Sequence, residues 1–214
     1  MPKIKALGYI GCNVSSLSAW DEFMANLFSL GRHGDSTGKV LHFNLEDHRR
    51  LTLREADHDS LSYVGWEVAT QDDLREIARQ LTAAEIAFVH GDHGLREERA
   101  VTDLLVLSGP DRVRTELFFG PLNDHGPSDS RNEVSGRYAS DLRLAHIVLA
   151  SGNRGASVEW YRDVFGFSVS DHVFWDGVEA SFLRCDPHHH SLALTNPVGD
   201  MHGGDLGHFM FESD

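Results

Sequence analysis

Cysteine is scarce. Cys12 and Cys185 are the two in 214 residues, too few for a disulfide framework, and they fit a reducing compartment. Long apolar runs are missing too. No stretch approaches the roughly 18 to 20 residues of a membrane helix, and Met1-Pro2-Lys3-Ile4-Lys5 has no apolar segment behind it long enough for a signal peptide. A cytoplasmic protein is expected. Basic residues are few: 19 Lys and Arg stand against 33 Asp and Glu, a formal net charge of −14. Such a surface repels nucleic acid phosphates and anionic lipid, so neither nucleic acid nor membrane is an expected partner. The 41% hydrophobic and 24% charged fractions exclude wholesale disorder, collagen and a coiled-coil rod.

Histidine is plentiful, with 14 residues. It is the commonest metal ligand and the side chain most easily tuned near neutral pH. Most of the 14 are expected to be scattered on the surface.

Four segments repeat a pattern of Leu, small, aromatic or His, apolar: Leu7-Gly8-Tyr9-Ile10, Leu61-Ser62-Tyr63-Val64, Leu144-Ala145-His146-Ile147 and Leu206-Gly207-His208-Phe209. Each opens a β-like run, and the spacing suits units of one strand, one helix and a few more strands. Ser16 or Ser18 can cap a helix through about Leu30, with Trp20, Phe23, Leu27 and Leu30 on one face. Thr70 can cap a second through about Glu85, and Ser157 a third over Val158 to Phe165, with Gly166 as its stop. Strand-like runs follow at Lys39 to Asn44, Arg50 to Arg54, Thr102 to Leu107, Arg114 to Phe119, Ala180 to Arg184 and Ser191 to Thr195.

Residues 123–140 are rich in Asp, Ser, Gly, Asn and Arg and read as an exposed linker between a first domain, 1–122, and a second, 141–214. The fourth unit stops at Asp214 after its first strand, so the 214 residues are expected to belong to a longer chain.

Alternation along a strand puts Leu144, His146 and Val148 on one face, and Leu206, His208, Met210 and Glu212 on another. His146 and His208 hold the same repeat position. Units paired about a pseudo-twofold axis would bring them together; the first domain has Tyr9 and Tyr63 there. Two imidazoles leave a divalent ion undercoordinated, and one carboxylate would complete the facial triad of non-haem Fe(II) oxygenases. Glu212 lies four residues past His208, about 13 Å along a strand and too far. Glu116 ends the second unit, so the matching carboxylate of the fourth unit is expected beyond Asp214. The run His188-His189-His190 is either a surface accident or, through His190 beside the last strand of unit three, an acid/base in the pocket.

At these residues the sequence resembles the two-domain extradiol ring-cleaving dioxygenases of the vicinal oxygen chelate superfamily. The likeness runs through Tyr63-Val64-Gly65-Trp66-Glu67-Val68, Glu116-Leu117-Phe118-Phe119-Gly120 and Trp160-Tyr161-Arg162-Asp163-Val164-Phe165-Gly166-Phe167. It is sharpest at Phe182-Leu183-Arg184-Cys185, His189-His190-Ser191-Leu192-Ala193 and Gly207-His208-Phe209-Met210. The resemblance implies an α+β fold of βαβββ modules paired into two barrel-like domains, the fourth module truncated. It implies Fe(II), or Mn(II), held by His146 and His208, with His190 as acid/base and Val148 and Phe182 lining the substrate pocket. The implied reaction is extradiol cleavage by O2 of a catechol-type aromatic diol, bicyclic such as 2,3-dihydroxybiphenyl or dihydroxynaphthalene, in a homo-oligomer. Taken alone, the 214 residues are expected to bind iron poorly and to be inactive. The rivals are a glyoxalase-type isomerase, disfavoured because Ser191 to Thr195 carries no acid, and an inactive or truncated protein of this fold that binds small molecules.

Overall fold

The computed structural model describes residues 4–28, 30–33, 36–45, 50–122 and 142–213. The expected linker, 123–140, lies outside the described residues. The chain order is β1 (Ile4–Val14), α1 (Leu17–Phe28), β2 (Val40–Asn44), β3 (Arg50–Glu55), β4 (Ser60–Val68), α2 (Gln71–Ala83), β5 (Phe88–His90), α3 (His93–Arg99), β6 (Val101–Ser108), β7 (Arg114–Pro121), β8 (Leu142–Ala150), α4 (Arg154–Phe165), β9 (Ser168–Trp175), β10 (Val178–Arg184), β11 (Leu192–Thr195) and β12 (Leu206–Ser213). A seven-stranded sheet runs β2-β3-β1-β4-β7-β6-β5, and a five-stranded sheet runs β12-β8-β11-β10-β9. This is the α+β modular fold. Among the described residues, no helix is long and apolar enough to cross a membrane.

The four repeat segments open β1, β4, β8 and β12, and they pair two by two. β1 lies antiparallel to β4, and β8 antiparallel to β12. Within a module the first and last strands are parallel: β1 with β3, β4 with β7, β8 with β11. Both pairings break register at two corresponding places, and β1 with β4 breaks it once more, between Ile4 and Ala6. Leu7 faces Trp66 and Tyr9 faces Gly65, so Gly8 is an extra residue; Gly11 faces Tyr63 and Cys12 faces Leu61, so Ser62 is another. In the second pair Ala145 and Gly207 are the extra residues.

These bulges correct the expected alternation. A bulged residue uses up one place in the pleat, so the residues flanking it point to opposite faces. Leu144 and Leu206 are therefore opposite Phe211 and Leu149 in the main apolar core, while His146 and His208 point to the inner face with Met210 and Val148. The repeat works as a device: the leucine anchors the strand to the core, the small residue makes the bulge, and the third residue is turned inward.

The main core joins both sheets and the helices. It includes Met24 of α1, Leu74, Ile77 and Leu81 of α2, and Val158, Tyr161 and Phe165 of α4. Trp66 meets Phe167 edge-on at 5.0 Å across the two units. The first helix buries a stripe other than the one expected: Leu17 and Met24 are buried, whereas Phe23 and Leu27 are exposed. Leu17, directly after the strand, seats against the sheet, and Met24 lies two turns on.

Ser16 accepts the Ala19 amide and Thr70 the Asp73 amide, as helix caps do. The third helix starts earlier than expected. Asn153 caps it by accepting the Ala156 amide, while Ser157 sits inside the helix with its hydroxyl buried against Ser151.

Candidate metal centre

On the inner face of the second sheet, His146 and His208 turn their Nε2 atoms toward each other at 3.3 Å. They lie 62 positions apart in the chain. Two imidazoles about 2.1 Å from one ion would have their nitrogens at about this separation, so the donor pair fits a shared divalent metal. Among the described residues, no group of three or more His, Cys, Asp or Glu is placed to hold an ion. Glu212 is not a third donor: it pairs with Arg143, its cross-strand partner.

His146 is 6% exposed. Burial first, then the neighbouring His190 and His208, lower its pKa to about 4. It is therefore neutral at physiological pH, the form that binds a metal. The ring of His190 lies 4.2 Å from that of His146 and 4.8 Å from Phe182, edge-on to the latter. Its Nδ1 is 3.0 Å from Nδ1 of His189, which leaves Nε2 for other partners. Burial, with His189 and His208, also lowers its pKa.

Beside the histidines runs an apolar row. Val148 on β8 pairs with Ala193 on β11, which pairs with Phe182 on β10. The five residues expected at the site, His146, Val148, Phe182, His190 and His208, thus come together on one face. His188 stays exposed, engaged with Asp186. Ala193, which drew no attention in the sequence, keeps the floor low between Val148 and Phe182; a lone alanine in a strand carries no signal.

The inner face of the first sheet is closed. Tyr9 stacks on Phe118 at 4.7 Å and meets Tyr63 edge-on at 5.8 Å. Its hydroxyl donates to Glu116 Oε2 at 2.8 Å. Arg99 donates to the same carboxylate through Nε at 2.8 Å and Nη2 at 3.2 Å, and its guanidinium carbon lies 3.6 Å above the Tyr63 ring. Burial opposes the charge on Arg99, but Tyr63 and Glu116 outweigh it and raise its pKa further. Burial and then Glu116 hold the Tyr9 phenol well above its ordinary value, so it stays neutral.

Residues 143–214 match the model of the Glyoxalase/Bleomycin resistance protein/Dioxygenase superfamily. The chain is 31% identical to a biphenyl-2,3-diol 1,2-dioxygenase of Pseudomonas sp. (strain KKS102), over 99% of this chain and 73% of the relative. It belongs to the extradiol dioxygenase family. Another member, an iron-dependent extradiol dioxygenase of Rhodococcus jostii (strain RHA1), is 30% identical over 93% of this chain and 71% of its own. A solved family structure, a catechol 2,3-dioxygenase, superposes with a TM-score of 0.85 at 29% identity, covering all of this chain and 72% of the other.

Proposed function

We propose that this protein cleaves a catechol-type aromatic diol beside its hydroxyls with O2, using Fe(II) held by His146 and His208. The substrate is bicyclic, of the 2,3-dihydroxybiphenyl or dihydroxynaphthalene kind. Manganese(II) is the alternative metal. The 3.3 Å approach of two inner-face imidazoles from paired strands carries this reading. The names of the relatives, one acting on biphenyl-2,3-diol and one iron-dependent, support substrate class and metal. We place the protein in the cytoplasm as a homo-oligomer.

His146 and His208 would hold the ion, which, when bound, would favour the ionised diol and mediate electron transfer from it to O2. A carboxylate would complete the set from a strand added at the edge of β12, as Glu116 stands on β7 beside β4. Val148 and Phe182 would clasp the second ring and orient the diol. His190, neutral and with Nε2 free of His189, would take a diol proton and return it to oxygen as the ring opens.

The test is anaerobic Fe(II) loading, then 2,3-dihydroxybiphenyl, then O2, with absorbance reporting a yellow ring-opened product. In the full-length protein His146→Ala or His208→Ala loses iron. His190→Ala keeps iron and loses turnover; loss of iron there refutes its role. The want of a third donor among the described residues favours a second reading, a binding module without catalysis. Calorimetry separates them: catechol binding that needs no metal, with no product formed, supports the module.

A further inference from the structure

Besides the shared apolar core, one carboxylate of the first unit reaches into the second. Asp111 lies in the 3-10 turn Pro110–Arg112 between β6 and β7, with φ 54° and ψ 25°, and Arg112 follows at φ 62°. Two successive non-glycine residues in the left-handed region are unfavourable and persist only where the surroundings enforce them. Here the surroundings belong to the second sheet. Asp111 Oδ2 accepts from Ser151 Oγ at 2.7 Å, and Oδ1 accepts from the Gly152 amide at 3.1 Å. Ser151 is 2% exposed, and its hydroxyl meets that of Ser157 on α4 at 2.7 Å.

The same turn bears on the residues that lead into β12. A Cβ at Gly203 would lie 2.8 Å from Asp111 Cγ, and one at Gly204 would lie 2.8 Å from the Asp111 carbonyl oxygen. Gly204 donates to the Ala150 carbonyl at 2.8 Å, and Ala150 donates to the Asp205 carbonyl at 2.9 Å. One side chain of the first unit therefore holds the end of β8 and packs against the start of β12. Those strands carry His146 and His208.

We propose that Asp111 is a positioning residue: from the N-terminal unit, it sets the placement of β12 against β8, and through it the separation of His146 from His208. The inference rests on the reading of those histidines as ligands. It also explains why the two acceptor oxygens matter, since an amide keeps one and glycine keeps none while relieving the left-handed backbone.

The experiment titrates Co(II) into metal-free protein by calorimetry, with His188 and His189 replaced by Ala in every arm so that the surface histidines do not compete. Asp111→Gly is expected to weaken Co(II) binding about tenfold, Asp111→Asn by less, and His146→Ala by more than either. Gly203→Ala, which keeps the carboxylate but wedges the contact apart, should reproduce the loss and keeps the comparison alive if Asp111→Gly does not fold. Hydrogen exchange should quicken in β12 in the same variants. Affinity within about twofold of the parent in folded Asp111 and Gly203 variants, with His146→Ala still weakened, overturns the proposal. Unchanged affinity in every arm overturns the two-histidine reading and this inference with it.

Discussion

The two module pairs share their strand pairing and bulges, yet they put opposite contents in the same place. In the first, two tyrosines, a glutamate and an arginine are closed on themselves; in the second, two histidines face each other beside an apolar row. Size explains part of the difference. Gly11 and Gly65 stand opposite Tyr63 and Tyr9, and a Cβ at either would enter the facing ring. In the second pair the corresponding residues are Val148 and Met210, which histidines leave room for. Charge explains the rest. Glu116 is fully buried and must be paired, and α3 delivers one guanidinium, Arg99, beside that of Arg114 on β7. Between β9 and β10, where the third module could hold a similar insertion, there is a short turn at Asp176 and Gly177. The lesson is that one strand frame can carry a self-paired tyrosine–glutamate–arginine cluster on one inner face and two facing imidazoles on the other.

Arg99→Ala should separate the pairs most sharply. It leaves the buried carboxylate with only Arg114, which is partly exposed, and the Tyr9 hydroxyl, and we expect a loss of about 3 kcal/mol in urea unfolding. Adding Glu116→Leu to Arg99→Met should regain part of that, because it leaves no buried charge, only the Tyr9 hydroxyl without its acceptor. Failure of the double variant to recover would mean that the ion pair is not what holds this face. Gly65→Ala comes next, at about 1–3 kcal/mol, since the Tyr9 ring is stacked on Phe118 and has no room to move. The matching change in the second pair, Met210→Ala, should shift stability by no more than about 0.5 kcal/mol, as Met210 is 40% exposed. Equal effects at Gly65 and Met210 would break the contrast between a filled and an open face.

The modular order, the pairing of repeats and the meeting of His146 with His208 were legible because the Leu-small-X motif recurs at unit starts. What was not legible had weak local signals. α3, His93–Arg99, buries only its arginine and so shows no apolar stripe. β9 reads Ser-Val-Ser-Asp-His-Val-Phe-Trp and is an exposed edge strand, where half-buried alternation is lost. β5 is three residues long. The faces of Leu144 and Leu206 were misread because alternation assumes an unbroken pleat; a glycine within a strand, as at Gly207, is a local sign of a bulge, whereas Ala145 gives none. The helix start at Asn153 was hidden by two acceptable caps four residues apart, between which burial of the Ser157 hydroxyl decides.

The bulges give the strands a division of labour with evolutionary reach. Because sidedness is set by one extra backbone unit, the inward residue can be exchanged between ring and imidazole while the leucine stays clasped by the helices. On such a frame the inward face can change from a packed tyrosine pair to an imidazole pair with the outward core untouched, provided that the residues opposite, Gly11 and Gly65 in one pair and Val148 and Met210 in the other, change size with it.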